Sequence, residues 1–179
     1  MSIPKKLLNY LQAKKIKYEL LQHKTVYTAF DLAQTLRLKP REVVKSLVVR
    51  LNDKEPVLVM LTADKNLDKK KFLNVVNAWL THKKAPPAAV LLREKLRGKA
   101  RTLAFAKEKW MREKVLGKPG ATPPFAGLLK MPLFIDKQAL TLKKLLLNSG
   151  DYETSLILNV AEFKKHEPFI EGRFGMVRK

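Results

Sequence analysis

The spacing of apolar residues along the chain predicts a mixture of helices and strands. In three segments the apolar residues recur every three or four positions, which is the period of an amphipathic helix with one buried face. These segments are 3–14, 29–36 and 68–80. The second is preceded by Thr28 in the sequence Thr28-Ala-Phe-Asp31, which has the form of a capping box and supports a helix start there.

Strands are predicted where β-branched and other apolar residues cluster between polar turns. Residues 43–49 and 57–61 flank the polar turn 52–56, and this arrangement predicts a β-hairpin. Shorter strands are predicted at 18–22, 133–136 and 155–159.

A segment rich in glycine and proline interrupts the second half of the chain. Residues 117–132, called the glycine-proline loop below, hold three of the seven glycines and four of the ten prolines. Proline removes a backbone donor and glycine permits tight turns, so the segment is predicted to be neither helix nor central strand but a shaped loop. Composition alone fits an ordinary rigid connection equally well. Around it, further helices are predicted at 87–99, 107–116, 138–147 and 161–165.

One lysine stands out in the first strand of the predicted hairpin. Alternation places Lys45 on the same strand face as Val43, Leu47 and Val49. A buried ammonium without a partner is costly, so Lys45 is expected to reach a partner or line a cavity. The alternative is a position near the strand end from which its side chain extends to water.

The charge of the chain indicates a polyanionic partner. Thirty-seven Lys and Arg residues stand against 16 Asp and Glu residues, a formal net charge of +21. An excess of this size repels itself and does not help folding, so nucleic acid is the first candidate partner, with a solvated basic surface as the alternative. Residues 81–118 hold twelve Lys and Arg residues against three Glu residues, so the basic face is expected in the middle of the chain.

Several classes of function lack their sequence signals. The chain has no cysteine, no paired metal-ligand spacing, no phosphate-binding P-loop and no convincing Ser-His-Asp set. No cofactor is therefore expected. No apolar run is long enough to cross a bilayer, so a cytoplasmic protein without a membrane partner is predicted. What remains are the backbone N–H groups of the glycine-proline loop, an inward lysine and the hydroxyl of Thr122, which are the parts of an oxyanion or carboxyl-ester site.

The order of these motifs resembles the YbaK/EbsC family, which is close to the prolyl-tRNA synthetase editing domain. The resemblance rests on Lys45 within Val43–Val49, the loop Gly120–Phe125, the strand Leu133–Asp136 and the turn Asn148–Gly150, and it covers about residues 15–165. It implies an α/β (α+β) fold, with one compact domain over 1–179 and a mixed, curved β-sheet flanked by helices. It also implies hydrolysis of amino acids wrongly esterified to tRNA.

The same resemblance suggests roles for individual residues. Lys45 would hold the aminoacyl carbonyl or the phosphate of the terminal nucleotide. Backbone amides of Gly120, Ala121 and Thr122 would stabilise the oxyanion or position water, and Asp136 would orient the loop or pair with a lysine rather than act as a base. Water or a ribose hydroxyl of the tRNA would attack. The residues expected to bind substrate are His23, Thr28, Pro123, Asp136, Asn148, Ser149 and Gly150.

Two departures from the family pattern concern the loop and the basic middle. Phe125-Ala126 precede Gly127 where family loops often continue with glycine. Residues 82–101 look like a basic insertion that strengthens tRNA binding or replaces contacts from a synthetase. The residues expected to bind tRNA are Lys83, Lys84, Arg93 and Arg97.

The resulting hypothesis is an aminoacyl-tRNA deacylase that edits in trans, with aminoacylated tRNA as substrate, small amino acids as the released group and an aminoacyl-tRNA synthetase as an optional further partner. The alternatives are a non-catalytic RNA-binding protein of the same fold and a synthetase-associated binding subunit.

Overall fold

The computed structural model describes residues 2–178, in which seven α-helices and ten strands are found. The helices are α1 Lys5–Ala13, α2 Ala29–Thr35, α3 Lys69–Thr81, α4 Pro87–Leu96, α5 Glu108–Lys114, α6 Ala126–Leu129 and α7 Val160–His166. The strands are β1 Glu19–Gln22, β2 Val44–Leu51, β3 Glu55–Thr62, β4 Lys65–Leu67, β5 Leu103–Phe105, β6 Leu133–Asp136, β7 Lys144–Asn148, β8 Thr154–Asn159, β9 Ile170–Gly172 and β10 Gly175–Val177.

The predicted hairpin forms the centre of a five-stranded mixed sheet with the order β5-β2-β3-β6-β9. Strands β2 and β3 are antiparallel, with Val44 opposite Thr62 and Leu51 opposite Glu55. The β3–β6 and β6–β9 pairs are parallel. Asn52 and Asp53 turn the hairpin with φ values of 51° and 55°, a left-handed conformation that these two residue types tolerate better than most.

A second, antiparallel sheet has the order β1-β8-β7, and β4 and β10 form a separate two-stranded ribbon. The second sheet corrects one prediction, because the helix expected over 138–147 is wrong. A 3₁₀ turn at Ala139–Thr141 is followed by strand β7, which pairs with β8. In β7, Leu145 packs in the main core while Leu146 packs in another apolar cluster on the opposite face of the strand. A strand that is buried on both faces carries a continuous apolar run, which cannot be distinguished from a buried helix by periodicity alone.

Helices cover the mixed sheet on both faces. Phe72 of α3 and Leu92 of α4 pack on the face that carries Val49 and Val59. Helices α1 and α7 pack on the opposite face, where Phe163 is fully buried. The basic stretch 82–101 therefore contributes to the core through the apolar side of α4 while its lysines and arginines remain exposed.

The glycine-proline loop contains one element that the sequence did not predict. Helix α6 is only four residues long and fits between Pro124 and Pro132, so the exclusion of helix from this segment is wrong there. The N–H of Gly127 in α6 donates to Glu167, 3.3 Å away, and the hydroxyl of Tyr10 donates to the same carboxylate. Burial raises the pKa of Glu167, although these hydrogen bonds act in the opposite direction.

No helix among residues 2–178 has both the length and the apolar character required to span a membrane.

Candidate active site

The first part of the glycine-proline loop is bonded to the turn between β7 and β8. The N–H of Lys118 donates to the carbonyl of Gly150 at 2.9 Å, and the N–H of Gly150 donates to the carbonyl of Ala121 at 2.8 Å. The hydroxyl of Tyr152 donates to the carbonyl of Pro119 at 2.7 Å. Two segments about thirty residues apart in sequence thus form one rigid unit.

Glycine is required at two positions in the loop part of this unit. Gly117 has a φ of +92°, and a Cβ atom there would lie 2.6 Å from the Cα of Gly150. Gly120 has a φ of +82°, and its Cβ would lie 3.3 Å from the carbonyl oxygen of Tyr27. L-residues with a side chain rarely adopt such φ values, and at Gly117 the opposing atoms are backbone atoms that cannot rotate away.

An ion pair further ties the loop to the turn. The ammonium of Lys118 lies 2.7 Å from the carboxylate of Asp151, whose side chain is 3% exposed, and the hydroxyl of Ser2 donates to the same carboxylate. Burial alone would raise the pKa of Asp151, but the hydrogen bonds from Lys118 and Ser2 outweigh it and lower this pKa to about 2. The same hydrogen bond raises the pKa of Lys118.

Lys45 lines a cavity of about 300 Å³, called the candidate cavity below, together with Gly120 of the loop. The other lining residues are Tyr27, Thr28, Ala29, Phe30, Ser46, Leu47, Ala63, Asn66 and Arg178. The cavity therefore combines β2, the start of α2, the glycine-proline loop and the β4–β10 ribbon.

The side chains that line the candidate cavity give it positive charge. Among the described residues, it is lined by the cations of Lys45 and Arg178 and by no carboxylate. Burial lowers the pKa of Lys45, the nearby Arg178 lowers it further, and Asp64 acts in the opposite direction. A positive, partly enclosed site of this kind favours a bound anion or a developing oxyanion.

The backbone donors of the loop are not equally available. The N–H of Ala121 is bonded to the carbonyl of Lys118 at 2.9 Å, whereas the N–H groups of Gly120 and Thr122 have no acceptor within residues 2–178. Gly120 lines the candidate cavity, but Thr122 is 1% exposed and is not among the residues that line it. Among the three loop residues Gly120, Ala121 and Thr122, only Gly120 both lines the candidate cavity and has an N–H without an acceptor among residues 2–178.

A narrow crevice of about 10 Å³ adjoins the candidate cavity behind Gly120. His23 lies there, with Nε2 2.9 Å from the hydroxyl of Ser155 and Nδ1 2.8 Å from the carbonyl of Lys24. Because a carbonyl only accepts, Nδ1 carries a proton and donates to Lys24, whereas the hydroxyl of Ser155 can either donate to Nε2 or accept from it. Asn148 lines the same crevice, which is too small for a substrate, so these side chains lie next to the cavity rather than in it.

The structure places the other expected substrate-binding residues as follows. Thr28 lines the candidate cavity and caps α2 by accepting from the N–H of Asp31 at 3.0 Å. The hydroxyl of Ser149 donates to the carbonyl of Thr154, and Pro123 is buried within the loop. Asp136 lines a different pocket, described below. The four residues expected to bind tRNA are exposed on α4 and the segments that flank it.

Eight residues that line the candidate cavity were not selected as site residues from the sequence, among them Tyr27, Asn66 and Arg178. Tyr27 is 65% exposed and packs edge-on against Tyr152, with ring centroids 4.9 Å apart. Arg178 lies 4.9 Å from the ring of Phe30, and Asn66 comes from β4. An exposed aromatic residue directly before the capping box is a signal that could have identified Tyr27, whereas Arg178 belongs to a basic tail without a motif.

Comparison with known proteins supports the resemblance found in the sequence. Residues 23–91 match the model of the aminoacyl-tRNA editing domain family, a range that includes Lys45 and ends before the glycine-proline loop. A solved structure described as a proposed trans-editing enzyme for prolyl tRNA synthetase is 15% identical, with a TM-score of 0.72 and 98% of each chain covered. A protein described only as hypothetical is 20% identical, with a TM-score of 0.73, 96% of this chain covered and 99% of the other. A search of curated protein sequences finds no match.

These comparisons confirm the resemblance to YbaK-like editing domains, and the structural likeness confirms the predicted fold, an α+β domain with a mixed sheet and flanking helices.

Proposed function

We propose, starting from the match of residues 23–91 to the aminoacyl-tRNA editing domain, that the protein is a deacylase that hydrolyses the ester bond of mischarged tRNA in trans. The observation that carries the proposal is the candidate cavity itself. Lys45 and Gly120 are 75 positions apart in sequence, yet they line one cavity together with Arg178.

The chemistry needs a site that stabilises negative charge on the ester carbonyl oxygen. Attack on the carbonyl carbon forms a tetrahedral oxyanion, and the ester C–O bond then breaks as the ribose oxygen takes a proton. Water is the attacking group in this proposal, and the proton that it loses goes to the departing ribose oxygen. The neighbouring ribose hydroxyl can only orient this water, because its own attack would move the acyl group to another ribose oxygen without releasing the amino acid. The ammonium of Lys45 and the N–H of Gly120 supply the positive charge and the hydrogen-bond donor that favour the oxyanion over the neutral ester.

The apolar part of the cavity supports a small amino acid as the released group. Ala29, Leu47 and Ala63 line it, and the total volume of about 300 Å³ must also hold the end of the tRNA. A pocket of this type distinguishes side chains by about 1–3 kcal/mol per methylene group, so size selects a class of small amino acids rather than one member.

The exposed aromatic and basic side chains support a nucleic-acid substrate. Tyr27 presents a largely exposed ring at the cavity, where the base of a terminal nucleotide can stack. The net charge of +21 and the exposed cations around α4 provide contacts for the phosphate backbone.

The decisive experiment measures release of amino acid from tRNAs charged with different small amino acids, with the wild-type protein beside Lys45→Ala. We expect selective release by the wild-type protein and a rate at least about 10²-fold lower for Lys45→Ala, as found when one oxyanion donor is removed. Lys54→Ala is the matched control, since Lys54 is an exposed lysine in the turn of the same hairpin, away from the candidate cavity. Both variants should bind uncharged tRNA like the wild type.

Full activity of Lys45→Ala would contradict the role given to this lysine. Tight binding of tRNA without release of any amino acid would instead favour the non-catalytic RNA-binding protein.

A further inference from the structure

A second polar pocket, called the ribbon pocket below, lies next to the candidate cavity and has a volume of about 360 Å³. Lys65 of β4 lines the ribbon pocket, whereas Asn66, the next residue of the same strand, lines the candidate cavity. Similarly, Gly175 of β10 lines the ribbon pocket and Arg178, just after this strand, lines the candidate cavity. Since successive strand residues point to opposite faces, the β4–β10 ribbon is the partition between the two hollows.

Three cationic side chains converge on the ribbon pocket, from three separate segments: Lys65, Lys137 and Arg173. Within residues 2–178 none of them forms an ion pair with a carboxylate. They come from β4, from the residue after β6 and from the connection between β9 and β10, so the fold rather than a local run of basic residues brings them together.

Asp136, the one carboxylate among the described residues that line the ribbon pocket, is already occupied by backbone donors. One of its oxygens accepts from the N–H of Gln138 at 3.0 Å, and the other accepts from the N–H groups of Phe174 and Gly175 at 2.9 and 2.8 Å. Asp136 is 6% exposed, so its part is to hold the walls of the pocket in place. Three cations against one such carboxylate leave the ribbon pocket with net positive charge.

We propose that the ribbon pocket binds a phosphate group of the RNA backbone, a few nucleotides from the end that occupies the candidate cavity. This inference rests on the proposed function, because it assumes that one tRNA molecule occupies both the candidate cavity and the ribbon pocket. A guanidinium group with two ammonium groups is a set of donors that suits a phosphate, because Arg offers paired N–H donors and Lys offers point charges. The ribbon between the hollows is two strands wide, which is about 5 Å between strand axes, so one single-stranded RNA segment can pass over it.

The test is the salt dependence of binding of uncharged tRNA, with wild-type protein, the double variant Lys137→Gln/Arg173→Gln and the control double variant Lys164→Gln/Lys165→Gln. All four residues are exposed, and the control pair, on α7, removes the same charge away from the ribbon pocket. Loss of one phosphate contact lowers the slope of log K against log salt by about 0.7–0.9, which is about five- to eightfold weaker binding at 0.1 M salt. We expect this change for the ribbon-pocket variant and a clearly smaller one for the control.

Equal changes in both double variants would overturn the proposal, because the effect would then be one of net charge alone. Competition by inorganic phosphate distinguishes the two sources of the ligand. If inorganic phosphate binds the wild-type protein tightly and the RNA slope is the same in the wild type and the ribbon-pocket variant, the pocket is a site for free phosphate and the proposal is wrong.

Uncharged tRNA requires no catalysis, so this result is separate from that of the deacylation assay. A slope difference together with absent ester hydrolysis would refute the proposed function and leave the phosphate site standing.

Discussion

The close approach of Gly117 and Gly150 predicts that an alanine at position 117 destabilises the protein by more than its conformational strain. The Cβ of Gly117→Ala would lie 2.6 Å from the Cα and 3.3 Å from the carbonyl oxygen of Gly150. Both opposing atoms belong to the backbone, so the strain is relieved only if the loop or the β7–β8 turn moves. Because Gly120 belongs to the same loop and lines the candidate cavity, we expect such a movement to displace Gly120 as well.

The magnitude follows from comparison with Gly98, which has a φ of +145° and no atom within 4 Å of the position that a Cβ would take. Alanine at either position adopts an unfavourable φ, at a cost of about 1–3 kcal/mol. Gly117→Ala adds an overlap that requires a backbone shift, and such a shift typically costs a further amount of about 1–3 kcal/mol. For a chain of 179 residues, each additional kcal/mol lowers Tm by about 2–4 °C.

Urea unfolding of both variants beside the wild type measures this difference. We expect Gly117→Ala to lose about 1–3 kcal/mol more free energy of unfolding than Gly98→Ala, with an unchanged dependence on urea concentration. Equal losses in the two variants would refute the argument, since they would show that the Gly117–Gly150 contact adds nothing to the conformational term.

Three further predictions concern pH and charge. The pKa of Glu167 is raised above its ordinary value of 4.5, so the folded state binds this proton more tightly than the unfolded state does. The free energy of unfolding should therefore fall as pH rises from 4.5 through the raised pKa. Glu167→Gln should flatten this part of the curve of unfolding free energy against pH. The pKa of Asp151 is lowered from 3.8 to about 2, so its contribution is present above pH 3.8 and lost as pH falls toward 2. Solvent screening at the exposed ammonium of Lys118 makes this contribution smaller than the pKa shift alone would give. Asp151→Asn should remove the contribution, and an unchanged acid limb would contradict the assigned ion pair. Replacing the cations around α4 by glutamine should weaken tRNA binding and lower its salt slope, and an unchanged slope would show that the RNA binds elsewhere. The residues replaced are Lys83, Lys84, Arg93 and Arg97.

The sequence by itself determined the elements whose signals are local. The β2–β3 hairpin and helix α3 were predicted from periodicity and turn residues, and both are present with small changes at their ends. The same alternation put Lys45 on the strand face of Leu47 and Val49, which pack in one apolar cluster. These predictions succeed because a strand or helix with one buried face carries its period in its own residues.

Only the tertiary structure decided which segments meet. Strand β7 forms because β8 offers hydrogen bonds and both faces of β7 become buried, and no pattern within 138–147 reveals that environment. Arg178 enters the candidate cavity because β10 pairs with β4, and Asp136 becomes a support for the ribbon pocket because the N–H groups of Phe174 and Gly175 reach it. Such contacts depend on hydrogen bonds and packing between residues far apart in the chain. The secondary-structure propensity of a segment depends on its own residues and therefore does not reveal these distant partners.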